Sequence, residues 1–397
     1  MTALQLDDQK AFSEILYEKM KGVNPGIEEL ARYEFRYCLD NLCPEGGWKA
    51  VELDARVDIE QRLQSSDFFA PIQIKPGVDG RIVLDETIVR LTNMLLVGLA
   101  TGAYSAEWIK TRFYFDIRGF LFLTRTVYFT DAVLAHVGKQ PFRSFRKGQV
   151  RLERCLEVGY PAFKAANAEV DAAFLSSVSK LVAAKGTPIV LAVAGGTAAG
   201  KTEIVARLRC SFEQVGRQVS SIELDNFLTD RDQREQKGIH TLGRRAIHFE
   251  LFYSGLQEIL KGQTIMIPRY DFIDGTSSHD LDGRLKPGRD PIEIEPAEVI
   301  FLEGNFPFLL EEIAPLIGIK VVYLTGDAVR LKRKWRRDID YRKKYDPNYF
   351  LNRFFRNQPL MAEKCYRPQM EMCDMVVDTT DAAIWATPEI AEVLETS

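Results

Sequence analysis

Ile189-Val190-Leu191-Ala192-Val193-Ala194-Gly195-Gly196-Thr197-Ala198-Ala199-Gly200-Lys201-Thr202 is the stretch that decides the fold of the C-terminal half of this chain. A short apolar run of strand type ends in a glycine-rich turn and then in a lysine and a threonine. Gly195 to Thr202 satisfies G-x-x-x-x-G-K-[ST], and the helix-like Glu203–Val215 follows it, the context that the motif requires. Each part has a physical task. Small residues at Gly195, Gly196, Thr197, Ala198, Ala199 and Gly200 let backbone N–H groups turn inward around phosphates, and the next helix presents its positive N-terminus to them. Lys201 offers a mobile charge to the β- and γ-phosphates, and Thr202 a hydroxyl to Mg²⁺. The expected cofactors are ATP and Mg²⁺.

Downstream, Val219–Leu224, Val299–Leu302, Lys320–Leu324 and Met375–Val377 are further short apolar runs, most of them separated by helical stretches. Continuous apolar strands alternating with helices predict a parallel sheet covered on both faces. Thr264–Ile267 and Ile292–Ile294 suit a small additional hairpin. The fold class expected is α/β, with a parallel sheet flanked by helices, preceded by a mainly α N-terminal domain. Upstream, Ile27–Leu42, Glu86–Tyr104, Ala106–Val137 and Gln149–Ala183 show apolar residues at three- and four-residue spacing. The small polar break Ala183-Ala184-Lys185-Gly186-Thr187-Pro188 places the seam there, giving domains 1–183 and 184–397.

With 397 residues, 46% hydrophobic, 27% charged and a net charge of −4, the chain lacks the basic excess that nucleic acid or an anionic membrane would call for. No apolar run approaches the ~20 residues of a transmembrane helix. Six scattered cysteines without a Cys-x-x-Cys pair read as reduced thiols. A soluble cytoplasmic protein is expected, with a homo-oligomer left open.

Phosphoryl transfer also requires a group that orients the acceptor hydroxyl and a second oxygen ligand near the metal. Asp225 closes Ile222-Glu223-Leu224-Asp225, and Glu303 closes Ile300-Phe301-Leu302-Glu303, both at strand ends, where open α/β sheets bind ligands. With Thr202, these two are the candidate metal-site residues. The basic run Arg330, Lys332, Arg333, Lys334, Arg336, Arg337, Arg342, Lys343 and Lys344 is the candidate lid, two or three of its members being expected at the phosphates.

Taken together, Ala194–Thr202, Leu224-Asp225-Asn226-Phe227, Ile267-Pro268-Arg269-Tyr270-Asp271-Phe272, Val299–Asn305 and Arg330–Asp338 resemble the uridine kinase and phosphoribulokinase family of P-loop metabolite kinases over about Ile189–Thr380. The resemblance implies an ATP-dependent phosphotransferase acting on a hydroxyl of a small nucleoside- or sugar-like metabolite. It implies Asp225 as the acceptor of the hydroxyl proton and Lys201 as a catalytic phosphate-binding cation. Glu303 would help to hold magnesium, Arg337 would be the lid arginine, and Arg342 and Lys344 would lie near the other lid cations. Tyr270 and Phe272 would line the acceptor pocket.

The chain also departs from the uridine kinase pattern. Gly275 stands where those kinases carry a histidine that helps to read the pyrimidine, and Arg245 stands where an aspartate holds the ribose hydroxyls. A guanidinium there favours an acceptor with its own negative charge, as phosphoribulokinases use, and Arg245 is the substrate-binding candidate on that ground. The alternative for Arg244 and Arg245 is a surface salt bridge. His240, His248 and His279 are scattered in sequence and predict no metal site. From a different class, a nucleotide-dependent switch or a regulatory kinase working through residues 1–183 is the rival reading, although the Asn-Lys-x-Asp guanine reader of GTP switches is missing.

Overall fold

The computed structural model describes residues 8–63, 86–117, 120–146, 167–239, 243–337 and 361–396, together with Leu6, Ala165 and the short pieces 75–76 and 82–83. The chain forms two compact units, one of 1–127 and 345–360, the other of 128–344 and 361–397.

The N-terminal unit is built from helices α1 (Gln9–Met20), α2 (Arg32–Leu42), α3 (Arg56–Leu63), α4 (Glu86–Thr101) and α5 (Ala106–Arg112). Lys75–Pro76 (β1) pairs antiparallel with Ile82–Val83 (β2). Every residue of α4 from Leu91 to Ala100 is buried, the polar Thr92 and Asn93 included, so this helix is enclosed on all sides and forms the centre of the unit. One expectation fails here. Ala106–Val137 is not one long helix: after α5 the chain turns into the antiparallel pair β3 (Phe113–Asp116) and β4 (Leu121–Thr124). Phe113, Phe115 and Phe122 are buried, and the rings of Phe115 and Phe120 meet edge-on at 4.9 Å. The aromatic run follows the two-residue period of a half-buried strand, which suits aromatic residues better than a helix does.

The second unit holds a seven-stranded sheet in the order β5-β15-β14-β13-β6-β12-β7. Its strands are Arg143–Ser144 (β5), Ile189–Ala194 (β6), Val219–Glu223 (β7), Val299–Gly304 (β12), Ile319–Leu324 (β13), Met375–Asp378 (β14) and Ala383–Ala386 (β15). The five central strands are parallel, and β15 and β5 close one edge antiparallel. Ile265–Ile267 (β8) pairs with Ile292–Ile294 (β11), as expected. Tyr270–Asp271 (β9) pairs with Thr276–Ser277 (β10).

Alternate residues of each central strand enter two cores. Val190, Ala192, Ile300, Leu302 and Val322 pack with Phe252, Leu256 and Ile259 of a helix, Phe249–Leu260, on one face. Helix α6 (Asp131–Val137) precedes the sheet's edge strand, and Ile189, Leu191, Val193, Phe301 and Val321 pack on the other face, against α7 (Ala168–Lys185) and α8 (Lys201–Gln214). Both faces are covered, which is why these strands lack a polar alternation.

The expected seam at residue 183 moves to 127. β5 is the sheet's edge strand, and Val170, Phe174, Val178 and Leu181 of α7 lie in the core of the second unit. The break before Pro188 is a turn within this unit, because the apolar face of α7 has a sheet to cover. Among the described residues no helix is long and apolar enough to cross a membrane. Phe174, fully buried with its ring 6.2 Å from that of Tyr323, tests the assignment. Phe174→Ala should lower the unfolding free energy of the sheet unit by about 3–5 kcal/mol, read as lost hydrogen-exchange protection in β6, β12 and β13.

Candidate active site

The carboxyl ends of β6, β12 and β7 lie side by side, in register through Val193, Glu303 and Glu223. The loop after β6 is pressed against its neighbours. A Cβ on Gly195 would stand 2.4 Å from the Tyr323 carbonyl, and one on Gly196 would stand 2.1 Å from Arg330 Nη1. Glycine at both positions is therefore a steric requirement. Lys201 opens α8, and its Nζ donates to the carbonyls of Gly195 (3.0 Å) and Gly196 (3.2 Å) and lies 3.5 Å from Asn305 Oδ1. Burial lowers its pKa, against the opposing pull of Asp225 and Glu303.

Thr202 donates its hydroxyl to Glu303 Oε1 at 2.7 Å. Glu303 is only 6% exposed, and its Oε2 is buried without a hydrogen-bond partner among the described residues. Burial raises its pKa to about 7, while Lys201 and the Thr202 hydroxyl act to lower it. A hydroxyl and an unsatisfied buried carboxylate oxygen side by side form an oxygen donor set that suits Mg²⁺, which takes few protein ligands and keeps its waters. Asp225 sits half-buried on the single turn Leu224–Phe227 after β7. Its charge acts on both Lys201 and Glu303. Sequence reading passed over Glu223, which belongs to the same group: burial and then Asp225 raise its pKa, and Lys201 lowers it. Its alternation with Asp225 in Ile222-Glu223-Leu224-Asp225 was the available signal.

The first part of the basic run forms helix Asp327–Arg336, and Arg330 and Arg333 of that helix, with Arg337 at its C-cap, reach the loop. Arg330 Nη1 lies 3.4 Å from the Thr197 carbonyl, Arg333 Nη1 donates to the carbonyls of Ala198 and Ala199 at 3.3 Å, and Arg337 Nη2 donates to Thr197 Oγ1 at 3.0 Å. Their spacing of three and four residues sets them on one helix face. Arg342, Lys343 and Lys344 lie outside the described residues.

Next to Asp225, the backbone N–H of Tyr270 donates to Asn226 Oδ1 at 3.2 Å, which ties β9 to the Asp225 turn. The rings of Tyr270 and Phe272 meet edge-on at 5.2 Å. Buried Arg234 donates to the Tyr270 hydroxyl at 3.1 Å. Arg245 is not drawn into this group: it is exposed on the short turn Arg244–Ala246, and its side chain makes no hydrogen bond or ion pair among the described residues. Its neighbour Arg244 follows the surface alternative, pairing with Glu250 and Glu312 over the ring of Phe249. Arg231 is the basic residue that approaches instead. Its guanidinium covers Gly275, where a Cβ would meet Arg231 Cζ at 2.5 Å, and its Nη2 donates to the Phe272 carbonyl at 3.1 Å.

Residues 190–383 match the family model "Phosphoribulokinase / Uridine kinase family". A uridine kinase of Brevibacillus brevis is 32% identical over 160 residues, 40% of this chain and 69% of that protein. A uridine kinase of Halobacterium salinarum is 26% identical, covering 47% of this chain and 78% of the relative. The chain belongs to the phosphoribulokinase/uridine kinase family. It is a P-loop small-molecule kinase, a phosphotransferase, and the switch reading gives way to an enzyme. Among solved structures, the phosphoribulokinase from Rhodobacter spheroides is 19% identical, with a TM-score of 0.36 over 49% of this chain and 70% of that one.

The kinase unit also joins two histidines that are far apart in sequence. His248 and His279 lie with rings 6.1 Å apart, and His248 Nε2 is 3.1 Å from Ser277 Oγ. Beside them Lys286 pairs with Asp230 at 2.8 Å, and the Ser277 N–H donates to Asp230 at 2.7 Å. His240 lies outside the described residues, and among those described no cluster suits a metal ion. Burial, then His279, lowers the His248 pKa to about 4. A folded-state pKa below the unfolded value of about 6.5 means that the unfolded chain binds the proton more tightly, so stability is lost as pH falls from about 6.5 towards 4. Urea unfolding at pH 7 and pH 5 should therefore show a loss of about 1–2 kcal/mol, and His248→Asn should flatten that dependence.

Proposed function

We propose that this kinase transfers the γ-phosphoryl group of ATP to a hydroxyl of a small nucleoside- or sugar-like metabolite, with Mg²⁺ as the metal. The observation that supports it best is the convergence of Lys201, the Thr202–Glu303 pair and Asp225 at the ends of three adjacent strands.

The loop amides and Lys201 grip the phosphates. On nucleotide binding, Lys201 exchanges the carbonyls of Gly195 and Gly196 for phosphate oxygens, a stronger charge-assisted pairing. Thr202 and Glu303 would hold Mg²⁺, directly or through water, with Asp225 close by. The bound metal would neutralise charge on the β- and γ-phosphates. Asp225 orients the acceptor hydroxyl and takes its proton as the oxygen bonds to the γ-phosphorus. The bond from that phosphorus to the bridging oxygen breaks, and ADP leaves with the electron pair. Arg337, on Thr197 at the loop, lies where a cation would steady the transferring group. Tyr270 and Phe272 provide an aromatic wall beside Asp225.

A nucleoside acceptor is supported by the uridine and uridine-cytidine kinases among the relatives. Arg231 over Gly275 favours a second reading, an acceptor that bears its own anionic group, such as a sugar phosphate. Incubation of the protein with ATP, Mg²⁺ and either uridine, cytidine or a panel of sugar phosphates, followed by mass spectrometry, distinguishes the two.

On the acceptor that is used, turnover in the ordinary kinase range of about 1–100 s⁻¹ is expected. Lys201→Ala should lower kcat by about 10²–10³, and Asp225→Asn by about 10²–10⁴. Glu303→Gln should raise the Mg²⁺ concentration needed for half-maximal rate. Full turnover by a folded Asp225→Asn protein would remove Asp225 from its role.

A further inference from the structure

The phosphate loop rests on the side chain of Arg330 and on Tyr323, by its backbone carbonyl at Gly195 and its ring at Gly200, and a residue that precedes the family-matched segment 190–383 holds each of the two side chains. The first is Arg330. It is 1% exposed and lies directly against Gly196. Its Nε donates to the Thr325 carbonyl at 3.0 Å, and its Nη2 donates to Asp327 Oδ1 at 2.7 Å and to the hydroxyl of Tyr128 at 2.9 Å. Tyr128 in turn donates its hydroxyl hydrogen to Asp327 Oδ1 at 2.8 Å. Tyrosine, arginine and aspartate thus form a closed ring of charge-assisted hydrogen bonds, and the guanidinium plane has little freedom to rotate.

The second is Tyr323, whose carbonyl lies against Gly195. Its hydroxyl donates to Asp171 Oδ1 at 2.8 Å, and the other oxygen of Asp171 pairs with Arg207 of α8. Asp171, on α7, is 4% exposed. Asp171, Arg207, Tyr323 and Arg333 line, with Gly200 and Glu203, a small cavity of about 10 Å³ at the start of α8, room for about one water molecule.

We propose that Tyr128 and Asp171 are positioning residues for nucleotide binding, so that the segment ahead of the recognised kinase motifs forms part of the phosphate site. Neither touches the nucleotide. Tyr128 fixes Arg330 beneath Gly196, and Asp171 ties Tyr323 to α8, the helix whose N-terminus faces the phosphates. The loop amides converge on phosphate only while the peptide planes of Gly195 and Gly196 keep their orientation. Close packing against Arg330 and Tyr323 sets that orientation before ligand arrives, which lowers the ordering cost of binding. The inference rests on the ATP-dependent reading above and extends it to these two residues.

The test uses the full chain and titrates ADP and a non-hydrolysable ATP analogue by calorimetry, with a thermal melt of each variant as the folding control. Tyr128→Phe removes one oxygen and should weaken nucleotide binding about 3–10-fold, the worth of one net hydrogen bond. Asp171→Ala should weaken it by a similar factor, and Asp171→Asn, which keeps an acceptor for Tyr323, should recover most of the loss. Tyr128→Phe combined with Arg330→Lys should bind no worse than Arg330→Lys alone, since the two act through one contact. Unchanged affinity in folded Tyr128→Phe and Asp171→Ala proteins, whatever their melting temperatures, overturns the inference. A wild-type chain that binds no nucleotide overturns it together with the proposed function.

Discussion

The site depends on a cluster of charges taken out of water at the edge of a sheet. Lys201 is surrounded by Asp225 and Glu303, and Glu223 stands beside both carboxylates. Burial lowers the pKa of the lysine and raises that of Glu303 and Glu223. Three carboxylates stand close to Lys201, and Oε2 of Glu303 is buried without a hydrogen-bond partner among the described residues. On the proposed reading, a divalent cation would bring positive charge to these carboxylates. Phosphates, in turn, have Lys201 and the loop amides to meet them.

The neighbouring architecture follows from the need to hold that cluster open. Parallel strands bring their carboxyl ends to one edge, and helices on both faces keep the strands dry and rigid. The glycines of the loop let the backbone lie directly on Arg330 and on the carbonyl of Tyr323, where any side chain would collide. Packing, more than intrinsic turn preference, is what holds the loop in its shape.

Much of this was legible in the sequence because it depends on short-range pattern. β6, the loop and α8 are contiguous, and the apolar runs of β12 and β13 leave little choice of state. Asp225 and Glu303 were visible because they end such runs. Aligning a charge with a position says nothing about which way a turn points it: Arg245 is exposed on its turn, and Arg231 is the residue that covers Gly275. The histidines looked scattered because sequence distance hides the fold that joins His248 to Ser277 and His279. The Phe113–Thr124 hairpin was lost because a dense aromatic run satisfies helical and strand periods together, and strand pairing decides between them only in three dimensions.

The misplaced seam is the most instructive of these errors. A polar, glycine-containing break before an apolar strand is what a domain boundary looks like, and also what a helix-to-strand turn looks like. The two differ in where the preceding helix buries its apolar face. The amphipathic pattern of α7 says that it has such a face but not against what, and the covering partner is the far side of β6, β12 and β13. Once α7 belongs to the sheet, Asp171 comes within reach of Tyr323 and Arg207. With the boundary at 127, Tyr128 likewise lies beside Arg330 and Asp327. Family motifs mark the residues that meet the ligand, whereas the unit that holds those residues in place begins more than one helix earlier.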